Sequence, residues 1–192
     1  MTTKYRTIVA DPPWEQKAGP QFPKTAKSGR DYERTSVTSR DLNYRTLSVG
    51  EITTLPVADF AQDDAHLYLW VTNRYLEDAY DIARAWGFRP VVLLTWAKAP
   101  RGIGLGGTFS QSSEHILFAR RGSLTAKRRM DSTWWTWPRQ DEAHSAKPEA
   151  FLDLVEQVSP GPYLEMFARR NRIGWDTWGN EALNHVQIEA TP

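Results

Sequence analysis

The chain of 192 residues contains no cysteine. That removes any disulfide framework and any thiolate metal site, and it fits a reducing compartment. Histidine is sparse, and His66, His115 and His144 lack the spacing of a metal site, so no metal is expected. No apolar run reaches the roughly 18 residues of a membrane span. The N-terminus lacks the basic, apolar and small-residue progression of a secretory signal, and the expectation is a cytoplasmic protein without a membrane partner. Neither sign of charge is in excess. Lys and Arg number 24 and Asp and Glu 23, for a formal net charge of +1, so no global basic field demands nucleic acid. No internal repeat is present. Tryptophan is abundant, at 9 residues. Rings of this size suit flat π-faced ligands, although most belong to a core. The length favours a single domain over 1–192, with a core at about 4–181 and a frayed tail at 182–192.

Short apolar runs without helical spacing predict strands at 5–10, 65–71, 90–96, 114–119 and 163–168. Residues 74–87 predict a helix with Leu76, Ala79, Tyr80, Ala83 and Trp86 on one face and Gly87 as its stop. Residues 148–158 predict another, with Pro148 at the first position and Phe151, Leu154, Val155 and Val158 on one face. Ser48 followed by Glu51 reads as a capping box opening a short helix. Residues 172–181 read as a turn leading to a final helix start. The stretches 15–43 and 123–145 have no periodicity and read as long irregular loops, of the kind that is either functional or disordered. Alternating strands and helices define an α/β class with a mostly parallel sheet and helices on both faces. Ligands of such sheets bind beyond the carboxyl ends of the strands, and Asp11, Asn73, Lys98 and Arg169 stand just past strand ends.

The most informative stretch is Asp11-Pro12-Pro13-Trp14. Consecutive prolines fix φ and remove two backbone donors. The corner therefore offers acceptors: the Asp11 carboxylate, the Pro12 carbonyl and the Ala10 carbonyl, beside an aromatic ring. An exocyclic amine needs such a set. Its two N–H groups would go to Asp11 and the Pro12 carbonyl, and Trp14 would cover the ring. The plain alternative is a strand ending in a proline turn. Gly102-Ile103-Gly104-Leu105-Gly106-Gly107 matches the dinucleotide fingerprint G-x-G-x-x-G, but a strand pattern rather than a helix follows it. It reads as a loop.

Asp11-Pro12-Pro13-Trp14 resembles motif IV of the MT-A70 family of S-adenosylmethionine-dependent adenine-N6 methyltransferases. The likeness continues in Leu67-Tyr68-Leu69-Trp70-Val71-Thr72, in Ser145-Ala146-Lys147-Pro148, in Ser159-Pro160-Gly161, in Glu165-Met166-Phe167-Ala168-Arg169 and in Trp175 through Gly179-Asn180-Glu181. It runs from about Thr7 to Glu181 in the family's order. Asn171 and Arg172 stand where the family often has His-Asn. The resemblance implies a permuted, Rossmann-like class I methyltransferase fold, with motif IV first and the cofactor strand last. It implies Asp11, Pro12, Pro13 and Trp14 as the catalytic corner, with S-adenosylmethionine as cofactor. Lys147, at a helix N-terminus, would hold the methionyl carboxylate. Glu165, Arg169, Asn171, Asn180 and Glu181 would serve the rest of the cofactor. Tyr44 would stack on the flipped base or cap the cofactor or, equally, anchor a loop end.

The basic loops at 17–40 and 120–139 would supply nucleic-acid contacts through Lys27, Arg30, Arg128 and Arg129. Trp135, with its neighbours Trp134 and Trp137, would stack on unpaired bases. Ordinary solvated loops with Trp packed inward are the alternative. The target adenine would be flipped out of a duplex or already single-stranded. DNA in a bacterial or phage-infected cell is favoured over RNA, and the oligomeric state is open, a dimer included. A catalytically inactive nucleic-acid-binding subunit and a methyltransferase acting on a protein amide remain as other readings.

Overall fold

A computed structural model describes residues 3–15, 45–98, 109, 111–138, 147–180 and 182–188. The elements run β1 (Tyr5–Ala10), α1 (Val49–Thr53), α2 (Val57–Phe60), β2 (Ala61–Val71), a 3-10 turn (Asn73–Tyr75), α3 (Leu76–Ala85), β3 (Arg89–Ala97), β4 (Ser113–Arg121), β5 (Trp134–Trp135), α4 (Glu149–Val158), β6 (Tyr163–Met166) and β7 (Trp175–Trp178). The strands form one sheet in the order β5-β3-β4-β2-β1-β6-β7. β1 is parallel to both β2 and β6, β6 to β7, and β3 to β5. β4 alone runs antiparallel, between β2 and β3. Its first residues therefore lie level with the last residues of its neighbours, as Val71 opposite His115 and Ala97 opposite Ser113 show.

β1 is central because its residues are apolar on both sides. Ile8 and Ala10 face one layer and Val9 the other. On the first face Leu67, Leu69, Leu164 and Met166 meet Ile52 of α1, Phe60 of α2, and Ala79, Ile82 and Ala83 of α3. On the second, Tyr68, Trp70 and Ile116 meet Phe151, Leu152, Leu154 and Val155 of α4. This is a mostly parallel α/β sheet covered on both faces, the Rossmann-like arrangement.

The local signals act as their chemistry requires. Ser48 Oγ accepts from the Glu51 N–H, and Glu51 Oε2 accepts from the Ser48 N–H at 2.8 Å. The chain leaves α3 through Gly87 at φ 82°, with Phe88 N–H donating to the Ala83 carbonyl and Gly87 N–H to Arg84, both at 2.9 Å. This closes the last carbonyls of the helix. Pro148 is the N-cap of α4 rather than its first helical residue.

Two elements differ from expectation. Residues 172–181 contain a strand, β7, and not a helix start. In Trp175-Asp176-Thr177-Trp178, Trp175 and Thr177 are buried while the alternate residues are partly exposed, so the period is 2. The irregular segment 123–145 contributes β5, held on β3 opposite Thr95 and Trp96. Residues 182–188, expected to fray, are tied down. Leu183 N–H donates to Asn171 Oδ1 at 3.0 Å, His185 N–H to the Thr177 carbonyl at 2.9 Å, and Ile188 is buried.

At the amino ends of the strands His66 is fully buried, 2.8 Å from Ser159 Oγ and 3.1 Å from the Leu124 carbonyl. The carbonyl only accepts, so Nε2 carries the proton and Nδ1 accepts from Ser159, whose oxygen lies 2.7 Å from the Tyr68 hydroxyl. Burial holds the His66 pKa below its ordinary value, with the Arg120 charge adding to that effect against the Leu124 bond.

Candidate active site

The site lies at the carboxyl edge of the parallel strands, on the α4 face. Asp11 follows β1, and its N–H donates to the Met166 carbonyl of β6 at 3.4 Å. Its Oδ2 is 2.8 Å from Lys147 Nζ, which stands before the Pro148 cap of α4. Lys147 also reaches Glu114 Oε2 at 3.4 Å, and Glu114 pairs with Lys98. The four side chains are only 12–25% exposed. The order of charge is therefore cation, anion, cation, anion, from the end of β3 through β4 to the end of β1. Trp70 and Trp96 lie beneath, their ring centroids 5.1 Å from the Lys147 and Lys98 ammonium groups respectively.

Burial pushes the Asp11 carboxyl above its ordinary pKa, against the pull of Lys147. For Glu114 burial acts the same way, but Lys147 and Lys98 outweigh it and hold the group below its ordinary value. For Lys147 burial works against the charge, and the carboxylates of Asp11 and Glu114 overcome it, so the ammonium persists above its ordinary range.

The prolines form the expected corner. Trp14 N–H turns back to the Pro12 carbonyl at 2.8 Å, and Leu47 N–H bonds the Pro13 carbonyl at 2.9 Å. A carbonyl has two lone pairs, so Pro12 keeps an acceptor. Trp14 is not an open platform. It is 6% exposed, its Nε1 donates to the Trp70 carbonyl at 3.1 Å, and it stacks on Tyr75 with centroids 5.0 Å apart. Tyr75 in turn donates to the Glu15 carbonyl at 2.7 Å. The indole braces the corner from behind.

The expected cofactor residues divide. Glu165 lies on β6 between Val9 and Thr177, and its Oε2 is buried without a hydrogen-bond partner. Burial, with the Asp11 charge, pushes its pKa up to about 7. A buried oxygen without a donor marks the place where a ligand hydroxyl or amine fits. The Arg169 charge reaches Asp11 and, with Lys147, works against the upward push of burial on its pKa. Asn180 is exposed just after β7. Lys147 is not a free anion site, because two carboxylates of the chain itself already neutralise it. Asn171 is also engaged elsewhere. Its Nδ2 donates to Thr177 Oγ1 and the Leu183 carbonyl and its Oδ1 accepts from Leu183, so its amide serves the C-terminal strap.

Arg128 and Arg129 are exposed beyond β4. Trp135 stacks on Trp137 with centroids 5.4 Å and planes 4° apart, whereas Trp134 is 60% exposed. Among the described residues the more open ring is therefore that of Trp134 rather than that of Trp135. Lys27, Arg30, Tyr44, Glu181, His144 and the glycine-rich 102–107 fall outside the described residues. Among the described residues no group of three or more His, Cys, Asp or Glu could hold a metal, and no helix is long and apolar enough to cross a membrane. Sequence reasoning missed Glu114. Its signal was present, since it opens a predicted strand, but only the antiparallel direction of β4 carries it to this edge.

Comparison with known proteins assigns the class. The MT-A70 model matches residues 5–181, and the chain belongs to the MT-A70 family. Among its relatives, the type II methyltransferase M.MunI of Mycoplasma sp is 31% identical over 191 residues, a match covering 96% of this chain and 81% of that protein. An N(6)-adenosine-methyltransferase MT-A70-like protein of Drosophila melanogaster is 30% identical over 188 residues, covering 93% of this chain and 27% of that protein.

Two buried groups give stability opposite pH slopes. Glu165, raised to about 7, binds its proton more tightly when folded, so its contribution is present at acid pH and is lost as pH rises through 7. His66, depressed, contributes above its unfolded pKa of about 6.5 and loses that contribution as pH falls below it. Urea unfolding across pH 5–8 is expected to show a shallow profile for the wild type. Relative to the wild type, Glu165→Gln should tilt the profile toward rising with pH, and His66→Gln should tilt it toward falling. A profile tilted the same way by both substitutions would refute the pair of assignments.

Proposed function

We propose that the chain transfers a methyl group from S-adenosylmethionine to the N6 amine of adenine in nucleic acid, in DNA rather than RNA. The observation that carries this reading is the Asp11 carboxylate, fixed by Lys147 at a corner of proline carbonyls, in a chain of this family. Asp11 accepts one amine proton and the Pro12 carbonyl the other. Two acceptors placed this way draw the nitrogen from planar toward tetrahedral and free its lone pair. S-adenosylmethionine supplies the electrophilic methyl group. Glu165, Arg169 and Asn180 are the residues that fit it, and the orphaned Glu165 oxygen is the strongest support among them. Catalysis comes from position and electrostatics rather than a strong base, since the amine is hardly acidic. The proton leaves after transfer, to Asp11 or water. Trp14 and Pro13 keep the corner rigid, and the adenine enters flipped or single-stranded.

DNA is favoured because the relative matched over most of its own length is named a type II methyltransferase, whereas the adenosine enzyme is matched over about a quarter of its length. Arg128 and Arg129, with Lys27 and Arg30, supply the contact to the phosphate backbone.

The test is radiolabelled methyl transfer in parallel onto single-stranded DNA, duplex DNA and RNA, followed by nucleoside analysis. N6-methyladenine in DNA is the expected product, and Asp11→Ala should abolish it with the fold intact. Full activity in that variant would sink the mechanism. Absence of cofactor binding by calorimetry would favour an inactive nucleic-acid-binding subunit.

A further inference from the structure

On the α3 side of the same carboxyl edge lies a second row of polar groups that the methyl-transfer reading does not use. Asn73 follows β2, two residues before Tyr75, which stacks on Trp14 of the catalytic corner. Asn73 Oδ1 is 2.8 Å from His115 Nε2, and His115 Nδ1 is 3.1 Å from Thr95 Oγ1. The amide oxygen only accepts, so His115 donates through Nε2, and its Nδ1 accepts from the Thr95 hydroxyl. Thr95 is the register partner of Trp134 on β5. The row thus crosses β2, β4, β3 and β5 in turn. Three strand spacings of about 4.8 Å give it a span of roughly 14 Å, about four nucleotides at a stacked rise of about 3.4 Å.

Its two ends are open to solvent. Asn73 is exposed, and Trp134 is 60% exposed while the neighbouring Trp135 is stacked on Trp137. An indole at a sheet edge with no aromatic neighbour among the described residues, next to a segment bearing exposed Arg128 and Arg129, has the chemistry that stacks an unpaired base beside a phosphate backbone. At the other end the His115 bond holds the Asn73 oxygen and fixes the plane of the amide, leaving its NH2 group as the donor of this exposed side chain. That group donates and does not accept.

We infer that this row is the track for the unpaired nucleotides flanking the target adenine. Trp134 stacks on a base at the far end, and Asn73 donates to an acceptor on the base next to the corner. His115 is a positioning residue that fixes which face of the amide is shown. The inference rests on the nucleic-acid reading above and deepens it. A locked donor favours a neighbouring base that turns a carbonyl oxygen or ring nitrogen toward it and disfavours one that turns an exocyclic amine to the same place.

The experiment uses the full chain and fluorescein-labelled single-stranded oligodeoxynucleotides with one adenine, intact or with one abasic residue at successive flanking positions. Trp134→Ala should weaken binding about 5- to 100-fold with cofactor affinity unchanged, and Trp134→Phe should keep most of it. One abasic position should cost the wild type the same factor and cost Trp134→Ala nothing further. Unchanged binding in Trp134→Ala, or a penalty that adds to every abasic position alike, overturns the stacking. Asn73→Ala should level the preference among the four bases at the adjacent position. His115→Phe should do the same and His115→Gln should restore it; a preference untouched by Asn73→Ala overturns the donor. If the wild type methylates no adenine in any polymer, the proposed activity fails, while the binding arm still decides the track.

Discussion

Lys147→Met is expected to destabilise the protein by about 3 kcal/mol. The ammonium is the common partner of Asp11 and Glu114, and removing it leaves two carboxylates facing one another on a largely buried surface. Breaking a fully buried pair costs about 3–5 kcal/mol. The low end applies here because the side chains are still 12–25% exposed and Lys98 remains to hold Glu114. Urea unfolding at pH 7.5 would measure it. A thermal shift of about 2–4 °C per kcal/mol should accompany the loss. The control is the double change Lys147→Met and Asp11→Asn, which removes the stranded Asp11 charge, leaves Glu114 paired with Lys98, and should recover much of the stability while remaining inactive. An unaltered unfolding midpoint in Lys147→Met would show that the ion pairs are surface ornaments.

Gly179→Ala should cost at least about 3 kcal/mol, at the top of the range for overpacking. A Cβ on Gly179 would stand 2.6 Å from the Ala168 backbone nitrogen and closer still to its carbonyl oxygen. Neither is the end of a flexible side chain, so the backbone itself must move. Ala168 N–H donates to the Trp178 carbonyl at 3.0 Å, and the residues on either side of this contact are Arg169 and Asn180. The substitution therefore separates the two segments assigned to the cofactor. Calorimetric binding of S-adenosylmethionine should weaken in step with the fall in the urea midpoint. A variant with wild-type stability would mean that the two segments are not in the close approach described.

The central part of the fold was legible because its residues obey one rule at a time. β1 emerges with the expected bounds, its apolar residues having no helical spacing, and the Ser48 box does what its spacing predicts. The strands at the two ends of the sheet were less visible. Trp175-Asp176-Thr177-Trp178 mixes two large rings with two polar groups, and Asp176 is taken up by the Tyr5 hydroxyl at 2.6 Å, a partner 171 positions away. No local pattern announces that. β5 is only two residues long and exists because β3 offers it an edge.

In the site, Asp11 and its prolines could be read directly, as backbone chemistry is local. The partner of Lys147 could not. A lysine before a helix looks the same whether it waits for a ligand or neutralises a carboxylate 136 positions away in the chain, as Asp11 does here. The choice among Trp134, Trp135 and Trp137 likewise depends on which ring the sheet turns inward.

The C-terminal strap has a consequence for how copies of this chain meet one another. β7 is the last strand of the sheet, and a last strand leaves backbone groups free to template another chain. At Thr177 both groups are capped by one residue. The His185 N–H takes the Thr177 carbonyl at 2.9 Å, and His185 Nδ1 receives the Thr177 N–H at 3.2 Å. A single histidine thus blunts the middle of an otherwise adhesive border. The few residues after β7 cover the middle of this edge as well as seating the segment that leads away from the site.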